Sequence, residues 1–226
     1  MKKLIALMMV LAIIASFAAC GTEKKETEDT TTTTTENVTE DTTPDTTEKV
    51  TTDTDNELVI GEDTAALEIM EYAWVALGGE RQPAVIGGHF SAEYTTGPYT
   101  YELTYAEDLA ATLLLPEDQM DKVTDAATAV HMLNANSMTA GVIKLAEGTD
   151  VKAFADAVAD RIVNNQWMCG FPEKMAIIQI NEDYLFITYG LYELIDPMVE
   201  GLSSDWTMNE LYNRSLMEET TEEIVE

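Results

Sequence analysis

Basic residues are scarce in this chain: 12 Lys and Arg face 42 Asp and Glu over 226 residues, a formal net charge of −30. A surface this acidic repels phosphate backbones and anionic lipid headgroups, so nucleic acid is excluded as a partner. Histidine is limited to His89 and His131, and cysteine to Cys20 and Cys169. So few soft ligands cannot build a zinc site unless carboxylates complete it. The chain carries no G-x-S-x-G, Walker loop, H-E-x-x-H or EF-hand spacing. No catalytic set, metal site or cofactor is therefore expected. Paired acids such as Glu107-Asp108 and Glu182-Asp183 carry no information at this acid content.

The long apolar run is N-terminal. Lys2 and Lys3 precede an apolar stretch from Leu4 to Ala19, broken by Ser16. A basic start, an apolar middle and small residues at the end read as a signal peptide, residues 1–19. The run falls short of the roughly 20 residues of a membrane span, and no basic cluster follows to stop transfer. It ends in Phe17-Ala18-Ala19-Cys20-Gly21, which resembles the lipobox of bacterial lipoproteins, with Phe17 where Leu is commonest. The resemblance implies that the Cys20 thiol receives a diacylglyceryl group and that cleavage leaves Cys20 as the N-terminus. Two acyl chains anchor stably where one is marginal, at about 0.8 kcal/mol per buried methylene. The expected location is the outer face of the cell membrane. Ser16-Phe17-Ala18 also suits ordinary signal peptidase, which would release a soluble protein. With Cys20 acylated, Cys169 has no partner for an internal disulfide, and the fold must rest on its core.

Residues 21–56 are dominated by Thr, Glu and Asp. Apolar side chains are nearly missing, so nothing offsets the entropy of ordering, and the stretch reads as a disordered tether. Its reach lies between a coil of about 30–35 Å and an extended limit on the order of 120 Å. A spacer through the cell wall, O-glycosylated on Thr, and a plain solvated linker are both open. Loss of Lys2 and Lys3 with the signal takes the charge from −30 to about −32.

Residues 57–205 suit a single α+β domain, followed by an acidic tail at 206–226. Ala66, Ile69, Met70, Ala73 and Leu77 fall on one stripe of a helix over Thr64–Leu77, with Asp63 as N-cap and Gly78-Gly79 as stop. Gly97-Pro98 reads as a turn between two short strands, and a helix follows over Ala106–Leu115. Ala129–Leu133 and Met138–Ala146 read as strands around Asn134-Ala135-Asn136. A helix capped by Thr149 or Asp150 buries Val151, Phe154, Ala155, Val158 and Ile162. Met175–Ile180 and Tyr184–Tyr189 form a hairpin, and a last short helix, Leu191–Glu200, is disturbed at Pro197. Hairpins separated by helices predict an antiparallel sheet with helices packed on it.

The stretch Met138-Thr139-Ala140-Gly141-Val142-Ile143-Lys144-Leu145, the Gly148-Thr149-Asp150 turn, the helix and Gln166-Trp167-Met168-Cys169-Gly170 resemble a clostridial-type lipoprotein family known as domain of unknown function 4358. The likeness spans residues ~105–202; the Tyr-rich part before it departs from the pattern. It implies anchoring and fold, and brings no activity or site residues.

Two clusters are candidate ligand sites. Trp167, Cys169 and Phe171 share a loop after a helix. They read either as a pocket with a reactive thiol or as packing on the sheet edge with Cys169 a small buried hydrophobe. The helix C-terminus works against a lowered thiol pKa, and His131 is a nucleophile's partner only if it lies close. Tyr99 and Tyr101 share parity with Tyr105, so on an extended strand they form one aromatic face. Such a face could stack on sugars, or be half-buried core. The favoured function is a non-enzymatic binding or interaction module of the cell envelope, its partner another envelope protein or a cell-wall ligand. A cell-wall-directed hydrolase or carbohydrate-binding domain is the alternative, and a structural spacer the third.

Overall fold

The computed structural model describes residues 58–217 except 62, 93, 204 and 205. The signal region, Cys20, the Thr-rich stretch and the last residues of the acidic tail lie outside the described residues. No helix among the described residues is long and apolar enough to cross a membrane.

Eight strands form one antiparallel sheet: β1 (Val85–Gly88), β2 (Tyr94–Thr95), β3 (Tyr99–Thr100), β4 (Val123–His131), β5 (Met138–Leu145), β6 (Lys174–Ile180), β7 (Tyr184–Gly190) and β8 (Met208–Ser215). Their order is β2-β1-β4-β5-β7-β6-β8, with β3 paired to β4 off this path. Four helices pack on it: α1 (Ala66–Ala76), α2 (Ala106–Leu113), α3 (Val151–Val163) and α4 (Tyr192–Ser203). The α+β expectation holds, and the arrangement is three-layered. Alternate strand residues face opposite ways. Ala127, Val142, Ile178 and Phe186 pack with α1 and α4, while Ala126, Ile143, Ile177 and Leu185 pack with α2 and α3.

Burial on both faces explains why β4 starts at Val123 and not at the expected Ala129. Its Ala126, Ala127 and Ala129 are all fully buried, so the sequence shows no alternation, and alanine is a weak strand former. The small side chains let helices approach on both sides. Gly141 on β5 serves the same end: a Cβ there would lie 2.6 Å from Leu113 Cδ1 of α2.

Asp63 is not the N-cap of α1; Ala65 occupies that position. The Ala65 amide donates to Glu68 Oε1 at 3.0 Å, and the Ala66 amide to Asp125 Oδ2 at 2.7 Å. The carboxylate that caps this helix is thus carried by β4, where the β4–β5 register shifts. For α3 the expectation holds, with Asp150 accepting from the Ala153 amide. Pro197 does not end α4, which runs on to Ser203.

The tail boundary at 206 is corrected. Met208–Ser215 is an edge strand on β6, and Leu211 and Tyr212 pack against the core. Trp206 donates its Nε1–H to the Leu58 carbonyl at 2.7 Å and packs on Tyr72. A register shift between Ile177 and Ile178 and a polar sequence hide the strand's period. Nor do the strands flanking Gly97-Pro98 pair as a hairpin: β2 joins β1 and β3 joins β4. All three elements crowd at Gly87, where a Cβ would meet Tyr99 N at 2.3 Å and Thr128 O at 2.5 Å.

Candidate groove between α2 and the β1–β4 edge

The α2 helix covers only part of its sheet face, and beyond it the strands β1 and β4 leave a groove of about 530 Å³. That is the size of a small-ligand site. Ile86, Thr128 and Val130 form its floor, Asp108 and Thr112 of α2 one wall, and Met132 and Leu133 of the β4–β5 turn the other. His89, Phe90, Tyr101 and His131 also line it.

The polar groups of the groove are largely committed. His89 Nδ1 accepts from the Ser91 amide at 3.1 Å, which places the proton of the neutral ring on Nε2, 3.0 Å from Asp108 Oδ2. Its ring stacks on Tyr105 at 3.9 Å, and the Tyr105 hydroxyl donates to the Ser91 carbonyl. Tyr101 meets His89 edge-on at 5.6 Å. Burial pushes the Tyr101 phenol above its ordinary pKa; a hydrogen bond with Thr112 opposes this and the Asp108 charge adds to it. His131 Nδ1 accepts from the Leu133 and Asn134 amides, both at 3.2 Å, so its Nε2 carries the proton.

Of the residues singled out from sequence, Tyr101 lies in this groove, with 4% of its surface exposed. Tyr99, on β3, is half-buried. The shared aromatic face is not formed, because β3 ends at Thr100 and a 3₁₀ turn, Leu103–Tyr105, follows. The Trp167 loop divides. Trp167 is half-buried against Tyr189, with ring centroids 5.1 Å apart. Cys169 is a free, exposed thiol, and Met168 and Phe171 are 78% and 73% exposed, so the packed-edge reading fails beyond Trp167. The loop is held by side chains of the β4–β5 turn. Asn136 Nδ2 donates to the Met168 and Gly170 carbonyls at 2.7 and 2.8 Å, and Asn134 Nδ2 to the Cys169 carbonyl at 3.2 Å. His131 and Cys169 are thereby linked through Asn134, without a hydrogen bond between imidazole and thiol among the described contacts.

Sequence reading missed Phe90, Asp108, Met132 and Leu133. No local signal marks these four, because strand order alone assembles them. Among the described residues no group of three or more His, Cys, Asp or Glu could hold a metal ion. The chain matches no family model, no curated protein and no solved structure.

Proposed function

We propose that this protein is a lipid-anchored, extracytoplasmic binding module whose ligand site is the groove between α2 and the β1–β4 edge. The observation that carries the reading is the groove itself: a concave, mostly apolar site with a few placed polar groups. Its chemistry favours holding over reacting. Both ring nitrogens of His89 are engaged, so this imidazole offers no lone pair to a nucleophile. The Cys20 motif, the Thr-rich stretch and the resemblance to the lipoprotein family support the anchor and the envelope location. The sugar-stacking alternative loses its strongest residue, since Tyr101 is buried against His89.

Mass spectrometry of the membrane-extracted protein tests the anchor. A diacylglyceryl group on Cys20 is expected, and an unmodified N-terminus at Ala19 removes it. Thermal-shift screening of the full chain against wall fragments, sugars, amino acids and peptides tests the groove. A ligand at 100 times its Kd stabilises by about 2.7 kcal/mol. For a domain of this size that raises Tm by about 5–11 °C. The shift must shrink in Thr112→Trp, which fills the groove from α2; a shift indifferent to that change places the ligand elsewhere.

A further inference from the structure

Five large apolar side chains stand in solvent, three along the groove and two on the loop bonded to the β4–β5 turn. Phe90 is 70% exposed, Met132 49%, Leu133 91%, Met168 78% and Phe171 73%. Single exposed apolar residues are ordinary. Three on one groove, with two more on the loop tied to its turn, are the signature of an interaction surface. The gathering is built in: Met132 and Leu133 sit on the β4–β5 turn, and Asn134 and Asn136 of that turn bind the backbone of residues 168–170.

The extent of this surface bears on the size of its occupant. Phe90, Met132 and Leu133 line the groove, but Met168 and Phe171 lie outside its lining. A small molecule seated in the groove leaves these two uncovered; a polypeptide segment running across its mouth covers them. Charge narrows the chemistry further. Asp108 is the one carboxylate of the lining, and no Lys or Arg contributes to it. Two basic side chains outside the groove, Arg161 and Lys174, are held in ion pairs with Glu117 and Asp196. The described residues alone carry 22 Asp and Glu against 7 Lys and Arg, so the domain favours cationic partners over anionic ones. The same charge opposes pairing with a second copy. His131 adds a ring N–H on the groove wall, a donor suited to a peptide carbonyl.

We propose that this surface docks a basic amphipathic segment of a partner polypeptide, its apolar side chains entering the groove and covering Leu133 and Phe171, its Lys and Arg facing Asp108. The inference rests on the binding-module reading and names the ligand class of that site. The test uses the full chain in phosphatidylcholine nanodiscs and three fluorescein-labelled peptides: Leu/Lys, Leu/Glu and Ser/Lys, the last keeping the charge without the apolar face. Saturable binding of Leu/Lys is expected, weakened about tenfold or more by Leu133→Ser and by Phe90→Ser. Leu/Glu should bind at least about tenfold more weakly, and Asp108→Asn should flatten the salt dependence of Leu/Lys. Leu133 and Phe90 are exposed, so their replacement leaves the core intact. Equal binding of Ser/Lys and Leu/Lys, or indifference to Leu133→Ser, overturns the proposal in favour of diffuse charge attraction. Binding of a Cys20→Ser chain to bare phosphatidylcholine vesicles, abolished by Leu133→Ser, overturns it in favour of the bilayer. Failure of all three peptides overturns it too. The binding-module reading then stands if the small-ligand screen gives a Thr112-dependent shift, and falls with it if that screen is also flat.

Discussion

Replacing Asn136 by Ala should release the Trp167–Phe171 loop while leaving the sheet intact. The Asn136 amide donates to two carbonyls of that loop, Met168 O at 2.7 Å and Gly170 O at 2.8 Å. A net hydrogen bond contributes about 0.5–1.5 kcal/mol, and both carbonyls lie near solvent that can replace the lost donor. The expected cost is therefore near the low end for each bond, about 1–2 kcal/mol in total. Between the two bonded carbonyls sits Cys169 with φ of 64°. A residue with a Cβ pays roughly 1–2 kcal/mol in that left-handed region, so the loop relaxes once its tie is cut. The assay is a nitroxide on Cys169 in a chain with Cys20→Ser, where the label is unique. Asn136→Ala should sharpen the spectrum, reporting faster nanosecond motion. Tm should fall by about 2–8 °C at 2–4 °C per kcal/mol. An unchanged line shape together with an unchanged Tm would refute the claim that this side chain positions the loop.

Further outcomes follow from the core and the turns. Cys169→Gly should be more stable than Cys169→Ala by about 1 kcal/mol in urea titrations, since glycine accepts a positive φ freely. Phe154, fully buried on α3, should cost about 3–5 kcal/mol on replacement by Ala, read as a lower urea midpoint. Gly201→Ala brings a Cβ to 2.2 Å from Ala76 Cβ where α4 meets α1, and should destabilise by about 1–3 kcal/mol. Burial pushes the Tyr189 phenol up to about 12 from 10.0. Below pH 10 both folded and unfolded chains hold this proton, and stability is unaffected. As pH rises from 10 to about 12 the unfolded chain ionises first, and stability falls by about 1.4 kcal/mol per pH unit. Tyr189→Phe should lose that part of the alkaline slope, while giving up the bond to the Thr112 carbonyl at neutral pH.

Elements with purely local causes were legible in the sequence. The α3 helix has its stripe of Phe154, Ala155, Val158 and Ile162 and its Asp150 cap within thirteen residues. The β6–β7 hairpin is written in two apolar runs and the Asn181-Glu182-Asp183 turn, where Asn181 takes φ of 52°. Composition alone argued against nucleic acid, a disulfide framework and a histidine-rich metal site, because charge and ligand supply do not depend on folding.

What depended on distant residues was settled only by tertiary structure. The N-terminus of α1 is capped by Asp125, which no pattern near Ala66 could reveal. The β8 strand is recognisable only beside β6, since its own residues lack alternation. The groove has the same origin. Phe90, Asp108 and Leu133 are far apart in the chain, and they line one groove because β1 and β4 are neighbours in the sheet. Helix stripes, caps and tight turns are set by contacts a few residues long. A site whose walls come from three elements exists only once the sheet has chosen its strand order.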